Sequence, residues 1–334
     1  MTMHAQKLQH LVDQARTLKP IRVAVVDAAQ GVVIETLREA YALGLVEPRL
    51  VGDPGAIIAL CRDHDWKVAE DWIVPATTDA AGAAKAVELV RTGESDAVMK
   101  GDIHTDALMH ALLDKERGLR VPGRRVSHVF LVEVSDYSKL LGITDAAINI
   151  APDLDAKAQI IQNAVDLFHL LDVETPKVAV LSAVETINPE IASTLDAACL
   201  TLMAQRGQIT GAVVDGPLAF DNAISRRAAE EKGILSPVAG NADILLVPDL
   251  VSGNILAKTL EYLTGAVAAG IAMGLAVPVV LTSRADPAPT RLASLALASL
   301  VHHRMPKAPT KPQASESSLS CAPQPEHACG PLPG

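Results

Sequence analysis

The sequence predicts an α/β fold built on mostly parallel sheet, and three observations predict it. Short runs of β-branched residues alternate with longer amphipathic runs, the pattern of repeated βα units. Aromatic residues are only 2% of the 334 residues while hydrophobic residues are 49%, so Ala, Val, Leu and Ile must fill the cores. That filling suits parallel strands covered on both faces. Charged residues are 20%, which fits a globular chain and excludes global disorder.

The elements follow in order. Residues 21–27 (IRVAVVD) read as a buried strand and 34–45 as the helix after it. A short strand at 49–52 feeds a helix begun by Asp53 and Pro54, and 72–75 repeats the theme before the Ala-rich helix 79–91. Strand 97–100 leads to helix 105–117; two strands, 126–134 and 140–149, then follow one another and break the alternation. Beyond Pro152 it resumes with helix 155–171, strand 177–181, helix 189–205, strand 212–215, helix 225–232 and strand 244–248. A long helix at 256–273 ends near Gly274, a last strand occupies 277–281, and 290–302 forms a closing helix. From residue 305 Pro, Ser, Ala and Gln dominate, and 305–334 reads as a disordered tail.

Bulk charge narrows the partners. A net charge of -10, from 29 basic and 39 acidic residues, disfavours nucleic acid, which needs a basic face. A small anion can still be held by a few focused Arg or Lys residues and helix N-termini. Cys61 and Cys199 lie in apolar helical patterns and read as buried small hydrophobes, and no Cys/His spacing suits a metal. The opening residues 1–16 are polar and mixed in charge, unlike a signal peptide, so a reducing cytoplasm is the expected compartment. Residues 262–283 carry no charge, nearly a membrane-spanning length. Three glycines and Pro278 interrupt that stretch, and a buried helix followed by a short strand is the expected structure, not a membrane span.

Ligands of open parallel sheets collect outside the C-terminal ends of the strands. Lys100, Gly101 and Asp102 follow one strand; Asp215, Gly216 and Pro217 end another; Asp249 precedes Ser252, Gly253 and Asn254; Thr282, Ser283 and Arg284 end the last. All are expected at one edge of the sheet. Each also has an ordinary reading. Gly216 and Pro217 could make a plain turn, Ser252 to Asn254 a helix cap, Lys100 a solvated strand end, and Arg284 and Arg291 surface charges. The segment after Asp27 has a single glycine where a dinucleotide fingerprint needs three, and neither a P-loop nor a GxSxG elbow occurs. His104, at a strand end, could touch a ligand, whereas His110 and His128 are expected to pack or face solvent.

Six segments together resemble the phosphate acetyl/butyryltransferase family. They are VVDGPLAFDNA (213–223), ADILLVPDL (242–250), GNILAK (253–258), PVVLTSRAD (278–286), MKGDIHT (99–105) and RRVSHV (124–129). The resemblance covers roughly residues 15–303 and implies two α/β domains of the isocitrate/isopropylmalate dehydrogenase kind with a cleft between them. The first domain would comprise 1–138 with 280–304, and the second 139–279, which would carry a homodimer interface.

The resemblance also implies chemistry: acetyl-CoA and phosphate give acetyl phosphate and CoA, reversibly, by direct attack in a ternary complex. No cofactor is implied, since coenzyme A and its acyl thioester are substrates. Ser283 would hydrogen-bond the CoA sulfur and Arg284 would clamp phosphate. Lys100 and Arg125 would be cleft cations, Asp215 would help bind substrate, and Asn254 would bind phosphate or CoA from a helix N-terminus. Acetyltransferase relatives often place an Asp six residues after that Arg, where this chain has Thr290; Asp286 is the alternative base in the same loop. That departure leans toward a phosphate butyryltransferase acting on butyryl-CoA, while ITDAAINI (143–150) leans toward acetyltransferases. A more distant alternative is a metal-dependent hydroxyacid dehydrogenase using Asp215, Asp221 and Asp249. A non-catalytic acyl-CoA-binding protein would have no need of the Ser283 and Arg284 pair.

Overall fold

The computed structural model describes residues 7–283 and 286–306. An amphipathic helix, α1 (Lys7–Ala15), precedes the first unit: β1 (Ile21–Val26), α2 (Gly31–Ala42), β2 (Val46–Gly52), α3 (Pro54–Asp63), β3 (Ile73–Pro75), α4 (Asp79–Arg91), β4 (Ala97–Lys100) and α5 (Thr105–Leu112). Caps set the helix starts where the sequence placed them. Asp53 accepts from the Ala56 amide and Thr78 from the Ala81 amide, each supplying a partner that the first turn lacks. Helix α5 stops short of the expected residue 117 because the Asp114 carboxylate accepts from the amides of Glu116 and Arg117 and turns the chain.

The middle of the chain supplies β5 (Ser127–Glu133), β6 (Leu141–Thr144), α6 (Leu154–Leu170), β7 (Lys177–Leu181), α7 (Ala192–Gln205) and β8 (Val213–Leu218). Two short helices, α8 (Phe220–Ile224) and α9 (Arg226–Glu231), lead to β9 (Ile244–Leu246) and α10 (Leu250–Thr264). The chain closes with β10 (Val267–Met273), β11 (Val279–Val280) and α11 (Ala288–Arg304).

Three sequence expectations need correction here. The helix expected at 256–273 is two elements. Helix α10 begins at Leu250, is capped by Asp249, and ends at Gly265, whose φ of 65° is the left-handed turn that glycine favours. Residues 267–273 are then a strand, so the uncharged stretch holds no long buried helix. Among the described residues no helix is long and apolar enough to cross a membrane. The strand expected over 140–149 stops at Thr144, because the buried Asp145 carboxylate collects the amides of Ala147, Ile148 and Asn149 into a turn. Cys61 is buried as expected, but Cys199 is exposed on α7.

All strands join one sheet in the order β3-β2-β1-β4-β11-β10-β5-β6-β9-β7-β8. β3, β2, β1, β4 and β11 run parallel to one another, as do β6, β9, β7 and β8. Antiparallel pairings of β10 with β11, of β10 with β5 and of β5 with β6 make the join, so the two parallel blocks point in opposite directions. The candidates therefore do not line up along one straight rim as expected; strand ends of the two blocks meet only where the blocks join. Helix α11 is buried from Thr290 to Val301 except for the half-buried Leu292, and it packs on β10, α1 and α2.

Candidate active site

A cavity of about 440 Å³ opens where the two blocks meet. One wall comes from the ends of β4 and β11 (Lys100, Thr282, Ser283) and the start of α5 (His104, Thr105). The opposite wall comes from Phe130 on β5, Ala146 and Ala147 after β6, and Asn254 and Lys258 on α10. Close backbone approaches bring these walls in. A Cβ on Gly101 would lie 2.1 Å from the Asp27 carbonyl oxygen, so glycine lets the ends of β1 and β4 converge. A Cβ on Gly253 would lie 2.6 Å from the Val247 side chain and 3.1 Å from the Ala146 Cα, so glycine lets α10 seat against the turn after β6.

The loop after β11 is tied down from several sides. Ser283 donates its amide to Asp286 Oδ2 at 2.6 Å, while the Asp286 amide returns a bond to the Ser283 carbonyl at 3.1 Å. Thr282 Oγ1 reaches the Lys100 carbonyl at 3.4 Å. The Arg291 guanidinium underlies all of this. It donates to Thr282 Oγ1 at 3.0 Å, the Ser283 carbonyl at 2.8 Å and the Asp286 carbonyl at 3.2 Å. Arg291 is fully buried, which corrects its reading as a surface charge. Burial pulls its pKa below the ordinary arginine value, while the Asp286 charge pushes the other way.

The candidates divide in space. Lys100, Asn254 and Ser283 line the cavity together; Lys100 is only 4% exposed and its Nζ lies 3.3 Å from the Gly101 carbonyl. Asn254 sits inside α10, a turn past its start, instead of at the helix N-terminus, because that helix begins at Leu250. Asp286 is buried, its carboxylate engaged by the Ser283 amide and 3.5 Å from Lys258 Nζ. Thr290, at the position where relatives often carry an Asp, is buried in the first turn of α11. Arg284 lies outside the described residues. Arg125 lines a separate cavity of about 480 Å³, and Asp215 lies on the edge strand β8, with its carboxylate accepting from the Gly216 amide. A larger cavity, about 1000 Å³, runs between α4 and α5 and contains none of the candidates.

Sequence reading missed two residues of this site. Lys258 reaches from α10 to Glu261 at 2.9 Å and to Asp286, placing a second cation in the cavity wall. Burial works against its charge, but the Glu261 hydrogen bond and the Asp286 and Glu261 carboxylates outweigh it and raise the pKa. Its signal was its place in the 253–258 segment. Arg291 offered as its only signal a charge at the head of the Ala- and Leu-rich part of the closing helix. Among the described residues no group of three or more His, Cys, Asp or Glu is placed to hold a metal ion, so Asp215, Asp221 and Asp249 are not gathered into a ligand set. Asp221 instead pairs with Lys232, and Asp249 caps α10.

Known proteins match this architecture. The family model described as phosphate acetyl/butaryl transferase matches residues 76–299. A phosphate acetyltransferase of Rickettsia prowazekii (strain Madrid E) is 49% identical over 317 residues, covering 95% of this chain and 89% of that protein. A phosphate butyryltransferase of Clostridium acetobutylicum is 43% identical over 296 residues, covering 89% of this chain and 98% of that protein. The crystal structure of a branched-chain phosphotransacylase from Enterococcus faecalis V583 superposes with a TM-score of 0.73 at 32% identity, covering 85% of this chain and all of that one. With family model, relatives and fold in agreement, the chain belongs to the phosphate acetyl/butyryl transferase family.

Proposed function

We propose that this chain is a phosphate acetyltransferase, interconverting acetyl-CoA and phosphate with acetyl phosphate and CoA. The observation that carries the proposal is the cavity in which Lys100, Ser283 and Lys258 face one space across the join of the sheet. A 49% identical acetyltransferase beside a 43% identical butyryltransferase supports acetyl over butyryl transfer.

In this reading the cavity is the cleft between a first unit, 1–138 with 280–304, and a second, 139–279. Phosphate is a charged and modest nucleophile, so it must be held and aimed at the thioester carbon. Arg284 is the proposed clamp, with the forked guanidinium suited to a tetrahedral oxyanion. Lys100 and Lys258 supply positive charge where the tetrahedral intermediate develops its own negative charge. The Ser283 hydroxyl donates to the departing sulfur, and Asn254 orients the substrate from α10. Asp286, buried and bonded to the Ser283 amide, serves the loop's shape more readily than proton transfer. In the forward direction the phosphate anion attacks and the thiolate leaves toward the Ser283 hydroxyl; in reverse the CoA thiol must first give up its proton, to solvent in the absence of a carboxylate at position 290. Asp215, remote on β8, is proposed only as a substrate contact at the far end of the second unit.

The proposal extends to a homodimer working in a reducing cytoplasm. The outer face of α10 carries Val251, Ile255, Tyr262 and Leu263, the last 81% exposed, and a second copy would cover them. The deciding experiment is arsenate-dependent breakdown of acetyl-CoA. Wild type is active, Arg284→Ala loses about a hundredfold or more, and kcat/KM is higher for acetyl-CoA than for butyryl-CoA. Equal rates for wild type and Arg284→Ala would remove the phosphate clamp from that position. A preference for butyryl-CoA would favour the butyryltransferase reading that Thr290 allows.

A further inference from the structure

The second cavity bears on how a thioester substrate would be held. Its lining includes Arg120, Arg124, Arg125, Ile148, Asn149 and Gln159, so three arginines crowd into six residues of a chain whose net charge is -10. The loop that carries them is braced. On α6, Gln159 accepts from the Arg125 amide at 3.0 Å, Asn163 donates to the Arg125 carbonyl at 2.8 Å, and Asp166 pairs with Arg124. Arg125 spends one guanidinium nitrogen on Asn149 Oδ1 at 3.0 Å. Among the described residues neither Arg120 nor Arg125 forms an ion pair with a carboxylate, so no carboxylate partner neutralises their charge beside the cavity.

The two cavities are neighbours through one short turn. Ala146 and Ala147 line the first, while Ile148 and Asn149 line the second. Ala147 and Ile148 are consecutive, with Cα atoms about 3.8 Å apart, so one short turn contributes to the lining of both cavities. The buried Asp145 carboxylate fixes that turn by accepting the amides of Ala147, Ile148 and Asn149 and the Asn149 side chain. A ligand with a reactive end and a polyanionic end joined by a flexible arm would fit both, reacting in the first and anchoring its charge in the second.

We propose that the Arg120, Arg124 and Arg125 cavity is the anchor for the phosphates of the nucleotide end of coenzyme A, with the pantetheine arm crossing the 146–149 turn to the cavity of Ser283. This rests on the transferase reading above. A guanidinium fork matches phosphate oxygens two at a time. In a negatively charged protein, a local arginine field also recruits anions that the overall charge repels.

The experiment compares acetyl-CoA, acetyl-dephospho-CoA and acetyl-pantetheine as acyl donors to phosphate, for wild type, Arg120→Ala, Arg125→Gln and the double variant. For acetyl-CoA, KM rises roughly tenfold per arginine removed, while kcat stays within about twofold. KM for acetyl-pantetheine, which has no phosphate, is unchanged in every variant. Raising the ionic strength raises the wild-type KM for acetyl-CoA and has little effect in the double variant. Arg120→Ala removes a side chain with no ion-pair partner among the described residues, so it reports even if the double variant folds poorly. If KM shifts equally for acetyl-CoA and acetyl-pantetheine, or for neither, the anchor is elsewhere. If wild type transfers acetyl from none of the three donors, the transferase reading itself fails, and this inference with it.

Discussion

Arg291 shows how a single side chain can set a reacting loop without touching substrate. Its guanidinium binds two carbonyls and a hydroxyl of residues 282–286 while lying out of water. A buried carbonyl that loses its donor costs about 1–3 kcal/mol, so the loop cannot keep its path without it. Arg291→Lys keeps the charge and volume but offers no planar fork. Its kcat should fall at least about tenfold with a melting temperature lowered by only a few degrees, measured by initial rates and calorimetry on the same preparation. An unchanged kcat would show that the loop holds itself. At this scale the sequence was partly legible. The segments containing Lys100, Ser283 and Asn254 marked the cavity, because strand ends are where ligands gather. Arg125 and Asp215 did not join it, because direction within the sheet cannot be read from a list of strands.

At the scale of elements, the informative failure is β10. Its sequence, VAAGIAM, is mostly small residues, with little of the β-branched content that marks a strand. Small residues are favoured there because the strand is central and α11 presses on it; the Gly270 amide even donates to Ser294 Oγ of that helix at 2.9 Å. The same strand confines His128 of β5. A Cβ on Gly270 would lie 3.0 Å from the His128 ring, the ring packs edge-on against Phe130, and burial lowers the imidazole pKa from 6.5 to about 3. His128 thus stays neutral in the fold while the unfolded chain takes up a proton near pH 6.5. Its contribution is fully present above that pH and is lost on acidification toward pH 3, by up to about 1.4 kcal/mol per pH unit. Urea titrations from pH 7 to pH 4 should show this acid limb in wild type, and His128→Phe should flatten it. Parallel limbs in the two proteins would exclude His128 as the cause.

At the scale of the whole molecule, alternation of β-branched and amphipathic runs predicted nearly every strand and helix of the two parallel blocks, and the consecutive strands near 126–144 marked where alternation breaks. What alternation could not reveal is that the blocks face opposite ways, since each βα unit fixes only its own neighbours. The exposed α10 side chains belong to this scale as well. Val251, Ile255 and Tyr262 recur at helical spacing on an outer face, and light scattering should find wild type at twice the chain mass. Ile255→Asp with Leu263→Asp should run at the mass of one chain; a monomeric wild type would leave that face to another partner. The order of the sheet also constrains how the protein comes into being. β11 and β10, from the end of the chain, lie between β4 and β5, and Thr282 meets the Lys100 backbone across 182 positions of sequence. A ribosome that has not yet released residues 267–280 therefore holds a chain with two bare strand borders, β4 and β5, each able to recruit a stray strand from another nascent chain. Residues 267–280 must therefore emerge before the two halves can be stitched, which makes β10 and β11 the keystone of assembly.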